Sequence, residues 1–236
     1  MTKSHVLRLG LGLLLGIIQL SSCLHPAVAA NALHFPEQKK FLVGLSTRQI
    51  NNRDIFEYDD MISDELDLTY TYLEASYAVF NDLAVDLRLG SAKYNVSWIE
   101  YGSGIAWGLG LRTMLFRWEE QDMLVGAGFQ YDKYNPDDTL RHGHYFSTDP
   151  DEWDISIEVA KSFNRLQVLG GIEYSEITLP FEHPERGSTR EGGFKQDKEL
   201  GIYFGAEVII LDNFGITGEV HLIADKSYSL GVFYKF

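Results

Sequence analysis

The sequence is short of cysteine and of positive charge, and it has no long apolar run beyond its first 30 residues. The single cysteine, Cys23, excludes a disulfide scaffold and a metal site built from cysteines. The 34 acidic residues outnumber the 20 basic ones, which gives a net charge of −14 without a basic cluster. Nucleic-acid binding is therefore not expected. Without an apolar run of about 20 residues in the mature chain, a membrane-spanning helix is excluded too.

The N-terminus predicts export from the cytoplasm. Lys3 and Arg8 provide the positive charge of a secretory signal, and residues 9–20 form an apolar stretch too short for a mature membrane-spanning helix. Small residues at 27–30 favour cleavage by signal peptidase, whereas residues 20–23 resemble a lipobox that would leave Cys23 as a lipidated N-terminus. Cleavage by signal peptidase is favoured because the residues after Cys23 are not the polar tether of a lipoprotein.

Residue patterning divides the chain into three parts. We expect residues 1–30 to be a signal peptide, residues 31–39 a short periplasmic segment, and residues 40–236 a single β-sheet domain. In this last part apolar and polar residues alternate, without a break at 153–160 and 214–222. A period of two residues predicts strands with one apolar and one polar face.

Ten runs of this kind predict ten strands, near residues 40–50, 66–80, 83–94, 103–117, 123–134, 153–163, 165–177, 199–211, 214–224 and 227–236. Several runs reach about ten residues, the length that a tilted strand needs to cross a bilayer. Short turns alternate with longer polar segments, which we interpret as loops, at 51–65, 95–102, 135–152 and 178–198. This pattern predicts an all-β fold, a single antiparallel up-and-down transmembrane β-barrel of ten strands, with eight or twelve strands as the alternatives.

A soluble β-sandwich or lipocalin-like barrel would show the same period, with its apolar face turned inward. Two features favour the membrane version. Small residues such as Gly171 and Gly205 lie on the polar faces, as a crowded lumen requires. Aromatic residues such as Tyr131 and Trp153 lie near strand ends, as the girdles at the two bilayer interfaces require.

The end of the chain carries a more specific motif. Ser229, Gly231, Tyr234 and Phe236 occupy its polar, glycine, hydrophobic and terminal aromatic positions. The motif resembles the C-terminal assembly signal of bacterial outer-membrane proteins, and the architecture resembles their small OmpA/OmpX-type class. The resemblance implies that the barrel assembly machinery recognises this strand and closes it against the first strand. It also implies a location in the bacterial outer membrane, in contact with lipid and lipopolysaccharide.

Apolar side chains that face lipid would leave the charged faces pointing into the lumen. The predicted lumen charge network consists of Arg48, Glu74, Asp86, Arg88, Arg112, Glu158, Glu173, Glu207, Glu219, His221 and Lys235. Charges in such a place must pair or meet water. They predict either a narrow barrel filled by ion pairs or a narrow channel between opposed walls. The filled barrel is favoured because the interiors of small barrels, of about eight to ten strands, are usually filled by side chains.

Catalytic, cofactor and metal sites are not expected. Ten-stranded barrels include the omptin-type outer-membrane proteases, which the chain resembles in strand number. That family needs an Asp pair opposite an Asp–His pair, and here Asp59 and Asp60 lie in an acidic segment while Glu219 accompanies His221. The histidines at 142–144 have the loose spacing of a solvated loop.

The sequence therefore predicts a non-enzymatic integral outer-membrane protein with acidic external loops, for envelope integrity or surface contact. A narrow, porin-like passive channel for small solutes is the alternative, and an omptin-like hydrolase is a more distant one. The oligomeric state is not predicted.

Overall fold

The computed structural model describes residues 40–57, 63–96, 99–136, 139–141, 144–185, 188–196, 199–223 and 226–236. The predicted signal peptide and periplasmic segment, residues 1–39, lie outside the described residues. The described strands are β1 (Phe41–Glu57), β2 (Ser63–Phe80), β3 (Leu83–Val96), β4 (Ile99–Trp118), β5 (Met123–Asn135), β6 (Thr139–Arg141), β7 (His144–Thr148), β8 (Asp151–Phe163), β9 (Leu166–Glu185), β10 (Ser188–Gln196), β11 (Leu200–Leu211), β12 (Phe214–Leu222) and β13 (Lys226–Lys235).

Ten of these strands form a closed antiparallel barrel, which confirms the predicted fold class. The ten are β1, β2, β3, β4, β5, β8, β9, β11, β12 and β13, and each pairs with its neighbours in chain order. Strand β13 closes the wall against β1 in a continuous ladder from Leu42↔Lys235 to Asn51↔Lys226. Short turns join the strands at one end of the barrel, which we call the lower end. Barrels in outer membranes place such turns in the periplasm.

The outside of the lower barrel is apolar. Its side chains are open to the surroundings, for example Leu87 at 52% exposure and Ile157 at 48%. Aromatic pairs border this belt at both ends: Trp107–Tyr131 and Trp153–Tyr174 above, and Phe41–Tyr77, Phe116–Trp118 and Tyr234–Phe236 below. An apolar belt between two aromatic girdles is the surface that a bilayer requires. The fold is that of a bacterial outer-membrane β-barrel.

The barrel loses two strands above the membrane. The hairpin of β12 and β13 ends at the level where β1 bends, and β10 takes its place between β9 and β1. Asn52 makes the bend possible, since its φ of 52° lies in the left-handed region and the β1–β2 register shifts there. The backbone N–H of Asn52 donates to Asp67 Oδ1 at 2.9 Å and stabilises this conformation. The upper barrel therefore has eight strands among the described residues: β1, β2, β3, β4, β5, β8, β9 and β10.

Wall polarity inverts where the barrel narrows, and β2 shows this within one strand. In its lower part Glu74 points inward and is 7% exposed, while Leu73 points outward and is 53% exposed. In its upper part Leu68 points inward and is 1% exposed, while Thr69 points outward and is exposed. The upper barrel is thus built like a soluble protein, with a polar exterior around an apolar core.

The prediction that 51–65, 95–102, 135–152 and 178–198 are loops is wrong for most of these residues. They extend the barrel strands above the bilayer or form β6, β7 and β10. Strand β9, for example, runs on to Glu185. The error arises in β1 because the period of two residues breaks at the Asn52 bulge. In β9 the strand continues through Pro180 and Pro184, two residues that are unfavourable in a strand by composition.

Candidate functional site: the barrel interior

The interior of the lower barrel, here called the lower lumen, contains the residues of the predicted charge network. Nine of them are buried: Arg48, Glu74, Asp86, Arg88, Glu158, Glu173, Glu207, Glu219 and His221. Arg112 and Lys235 are half-buried, and Lys235 lies at the lower rim with its ammonium group over the Phe233 ring. The structure gathers these charges into two groups, one around the arginines of β3 and β4 and one around His221.

The first group ties the walls of β2, β3, β4 and β5 together. Arg112 forms a bidentate pair with Asp86, with both N–O distances at 2.7 Å. Arg88 lies between Glu74, at 3.4 Å, and Asp132, at 3.2 Å. Ser46 donates to Glu74 at 2.5 Å. Each arginine therefore pairs with carboxylates on neighbouring strands, and the contacts run along this side of the wall.

The second group surrounds His221, which is fully buried. Its Nδ1 lies 2.8 Å from Glu173 and its Nε2 lies 3.4 Å from Glu219. The Tyr203 ring stacks on the imidazole with centroids 5.2 Å apart, and its hydroxyl donates to Glu158 at 2.9 Å. Histidine and carboxylates are held here as a packed layer.

Two glycines make room for this layer. A Cβ on Gly171 would lie 2.6 Å from the Tyr203 ring, and a Cβ on Gly205 would lie 2.7 Å from Glu219 Cγ. Both distances are closer than real Cβ contacts allow, so a larger residue at either position would displace the aromatic ring or the carboxylate. The small residues on the polar faces are thus explained by close packing inside the barrel.

The omptin-like arrangement is not supported by the described residues. Asp59 and Asp60 lie outside them, as do residues 142–143 of the histidine motif. His221 is buried among Tyr203, Glu173 and Glu219 and does not lie at the outer rim.

Sequence reasoning missed a third charged group at the boundary between the two barrels. Arg53 and Glu152 form an ion pair at 2.7 Å, and both side chains are almost fully buried. The Tyr134 hydroxyl also donates to Glu152 at 2.9 Å. Both charged residues fell in segments interpreted as loops. Asp132 was missed as well, although it follows Gly126, Gly128 and Gln130 on one face of β5 and the same alternation could have identified it.

An apolar cluster, here called the upper core, fills the eight-stranded barrel above these charges. Its members are Ile50, Ile55, Leu66, Leu68, Tyr70, Tyr72, Ala92, Tyr94, Val96, Tyr101, Ala106, Tyr134, Ile177, Leu179 and Phe194. Tyr134 packs against Tyr70 and Tyr94 with ring centroids 6.0 Å and 5.5 Å apart. The cluster reaches across the barrel from β1 to β9, so it closes the upper end.

The polar interior contains a larger and a smaller cavity among the described residues. The larger has an empty volume of about 500 Å³, including space open to solvent, and is lined by residues such as Ser46, Glu74, Arg112 and Thr217. The smaller, of about 280 Å³, lies beside Arg112 and reaches Glu158. Upper-core residues line neither cavity.

The motif at the chain end divides between the two faces of β13. Ser229 and Gly231 point inward and are buried, whereas Tyr234 and Phe236 point outward with exposures of 44% and 65%. The ladder to β1 agrees with closure of the barrel by this strand. Recognition by the assembly machinery stays a prediction.

In the described part of the chain, no group of three or more His, Cys, Asp or Glu residues could hold a metal ion. Nor does any helix among those residues have the length and apolarity to cross a bilayer.

Comparisons with known proteins give structural neighbours only, since no family model and no curated protein matches the sequence. The outer membrane protease OmpT from Escherichia coli is 8% identical, with 87% of this chain and 99% of that chain covered and a TM-score of 0.48. The outer membrane protein OprG from Pseudomonas aeruginosa is 11% identical, with 85% of this chain and 97% of that chain covered and a TM-score of 0.46. Ail, the attachment invasion locus protein of Yersinia pestis, is 14% identical, with 84% of this chain and 99% of that chain covered and a TM-score of 0.35. These neighbours are outer-membrane proteins of differing function, and the fold assignment rests on the strand ladders and the apolar belt of this chain.

Proposed function

We propose that this protein is a closed, non-conducting outer-membrane barrel that holds a rigid β-structured extension at the cell surface, for surface contact or envelope integrity. The observation that carries the proposal is the upper core. Its side chains are as buried as those of a soluble protein, with Ile50, Leu66 and Ile177 at 0% exposure. A packed apolar interior excludes water and ions, so a solute has no path through it.

The extension is the part available for contact outside the cell. The strands β1, β2, β3, β4 and β9 continue well above the aromatic girdle, and β6 and β7 extend the hairpin of β5 and β8 further. Its exterior is rich in acids such as Glu65, Asp67 and Glu100, all exposed. A polar surface on a packed core suits a contact domain that stays folded in water.

A narrow channel is the second candidate, and the two cavities of the lower lumen favour it. A channel would need the upper core to part, because both cavities lie below it. The hydrolase alternative has no comparable support, since His221 is enclosed on all sides by packed side chains.

Planar-bilayer recording of the purified protein tests whether the barrel is closed. We expect no discrete conductance steps from the wild type. A variant with Leu66→Asn, Leu68→Asn and Ile177→Asn is the matched control, because it hydrates the upper core and should conduct if it remains folded by gel mobility. Discrete steps from the wild type would overturn the closed barrel in favour of the channel.

Two cell assays test the role of the extension. A strain that lacks the protein is complemented with the wild type or with a variant in which residues 139–148 are replaced by a two-residue turn. Loss of adherence with the shortened hairpin, at unchanged resistance to detergent and large antibiotics, assigns surface contact. If the deletion strain becomes sensitive to detergent and large antibiotics while adherence is unchanged in every strain, the protein serves envelope integrity. If the deletion strain matches the wild type in both assays, neither role holds.

A further inference from the structure

The outer wall of the barrel has a step on the side where it narrows. Three strands, β11, β12 and β13, lie between β9 and β1 in the ten-stranded part, and β10 alone lies between them above. The β12–β13 hairpin ends at this step, and its last Cα partners are His221 and Ser227. Leu222 and Lys226 follow this pair and point outward, since His221 and Ser227 are buried in the lumen.

Apolar side chains cover the step. Leu200, Leu222 and Ile223 are 61%, 41% and 61% exposed. Leu222 is the Cα partner of Ile202, and Leu200 lies two residues above Ile202 on the same outward face of β11. Diagonal neighbours of this kind are about 7–8 Å apart, within reach of long side chains. We call Leu200, Leu222, Ile223 and Lys226 the ledge.

The ledge carries the apolar belt above the level at which the neighbouring strand becomes polar. Tyr228 lies at the upper border of the belt, and its partner on β12 is Val220. Above this row β12 continues on its outer face with Leu222, whereas β1 continues with the polar Asn51. Because the ledge is continuous with the lipid-facing belt, lipid of the outer leaflet covers it too.

Ile223 has a backbone conformation that isoleucine rarely adopts. Its φ of 84° lies in the left-handed region, where a β-branched residue is strained and glycine or asparagine is usual. The side chain is mostly exposed, so contacts within the protein cover little of it. A ligand outside the barrel would account for an apolar side chain at this position.

Lys226 places a positive charge beside the apolar part of the ledge. On β10 above, Lys195 pairs with Glu176 at 2.8 Å, whereas Lys226 forms no ion pair with any residue that the structure describes. Glu199, just before β11, accepts a hydrogen bond from the Tyr174 hydroxyl. The exposed ammonium group of Lys226 is therefore available to an anionic group of a lipid.

We infer that the ledge binds lipid A, the phosphorylated and acylated lipid of the outer leaflet. One acyl chain lies on Leu200, Leu222 and Ile223, and a phosphate lies at Lys226. A phosphate monoester carries a charge of about −1.5 to −2, more than the single charge of a phospholipid diester, so it suits the lysine better. All four side chains of the ledge lie on the outer wall, so the site is the same whether or not the barrel conducts.

Native mass spectrometry tests the site by titrating bisphosphorylated lipid A onto the full barrel, purified in detergent and stripped of lipid. We expect one molecule per barrel, bound at least tenfold more tightly than dephosphorylated lipid A or phosphatidylglycerol. Lys226→Gln should remove the preference for the phosphorylated form. Leu222→Ser combined with Ile223→Ser should weaken the binding of both forms of lipid A at least tenfold.

Matched controls separate the ledge from the rest of the outer wall. Lys93→Gln and Leu89→Ser change an exposed lysine and an exposed leucine of β3, three strands from β13, and both variants should bind like the wild type. Ile223→Gly separates binding from folding. Glycine adopts this φ freely, so the midpoint of thermal unfolding without lipid should not fall, while the affinity for lipid A falls at least threefold.

Three results would overturn the assignment. The wild type could fail to bind lipid A, it could bind the dephosphorylated form or phosphatidylglycerol equally well, or its binding could survive Lys226→Gln and the double serine variant unchanged.

Discussion

Buried ion pairs inside the barrel should contribute much more to the free energy of unfolding than exposed pairs on its surface. Arg53 and Glu152 are enclosed by protein, whereas the side chains of Lys93 and Glu100 are 45% and 70% exposed. Removing one partner of a buried pair leaves an uncompensated charge and costs about 3–5 kcal/mol. An exposed pair is screened by water and is worth about 0–1 kcal/mol.

Arg53→Met should therefore lower the free energy of unfolding by about 3–5 kcal/mol. The methionine keeps most of the volume, so the loss comes from the charge of Glu152, which then has Tyr134 as a remaining donor. Urea unfolding of the protein in lipid vesicles, followed by tryptophan fluorescence, measures the change. Lys93→Met is the control and should cost less than about 1 kcal/mol. Equal losses in the two variants would contradict the enclosed pair.

Alternation along the strands was enough to predict which charged residues share a face. It placed Arg48, Glu173 and Glu219 on inward faces, where the structure has them. The side on which an apolar face lies is a different matter, because the period of two residues is the same in lipid and in water. The general expectation that apolar side chains face lipid does not hold for Leu66 and Leu68, which point inward.

At the scale of elements, the seam between β1 and β10 is the shortest ladder that closes the barrel wall. It has three Cα partners, Ile55↔Gln196, Phe56↔Lys195 and Glu57↔Phe194. The ladder between β1 and β13 has ten. The eight-stranded upper barrel depends on this short seam, so its register can be tested by cross-linking.

Phe56→Cys combined with Lys195→Cys should form a disulfide on mild oxidation, because opposed residues of an antiparallel pair have Cα atoms about 4.5–5.5 Å apart. The faster migration of the oxidised protein on a denaturing gel measures it. Phe56→Cys with Thr178→Cys is the control, since Thr178 is the partner of Lys195 on the far side and lies one strand further away. A disulfide in the control and none in the test pair would contradict the seam.

A charged residue on the lipid-facing surface should destabilise the barrel more the deeper it lies in the bilayer. Ile157 lies at the middle of the apolar belt with 48% exposure, so Ile157→Arg should destabilise the folded barrel by about 2–4 kcal/mol. Thr71→Arg, at the upper border of the belt, should cost about 0–1 kcal/mol. Unfolding in vesicles compares the two. A loss of similar size at both positions would show that the belt does not end below Thr71.

The ends of the strands above the bilayer could not be predicted from the sequence. The physical reason differs between β1 and β10. The Asn52 bulge adds a residue to β1 and shifts the faces of everything after it. In β10, Gly192 and Gly193 read as loop, and the strand forms because β9 provides a ladder for it. Strand pairing over such distances depends on partners far apart in the chain, and local composition does not encode them.

On the scale of the whole molecule, two barrels of opposite polarity are built on the same strands. The ten-stranded part is apolar outside and charged inside, and the eight-stranded part is the reverse. The loss of two strands explains the change, because a narrower ring leaves room only for a packed core. In the proposed closed barrel, the packed core of this narrow part blocks the path for solutes.

A nitroxide scan along β2 in lipid bilayers tests this inversion most directly. Labels at 65, 67, 69 and 71 should collide with a water-soluble nickel complex, and labels at 73, 75 and 77 with oxygen dissolved in lipid. Labels at the inward positions 66, 68, 74 and 76 should be shielded from both reagents. The switch from water to lipid is expected between Thr71 and Leu73, and collisions with oxygen at every outward position from 65 to 77 would show that the polarity of β2 does not invert.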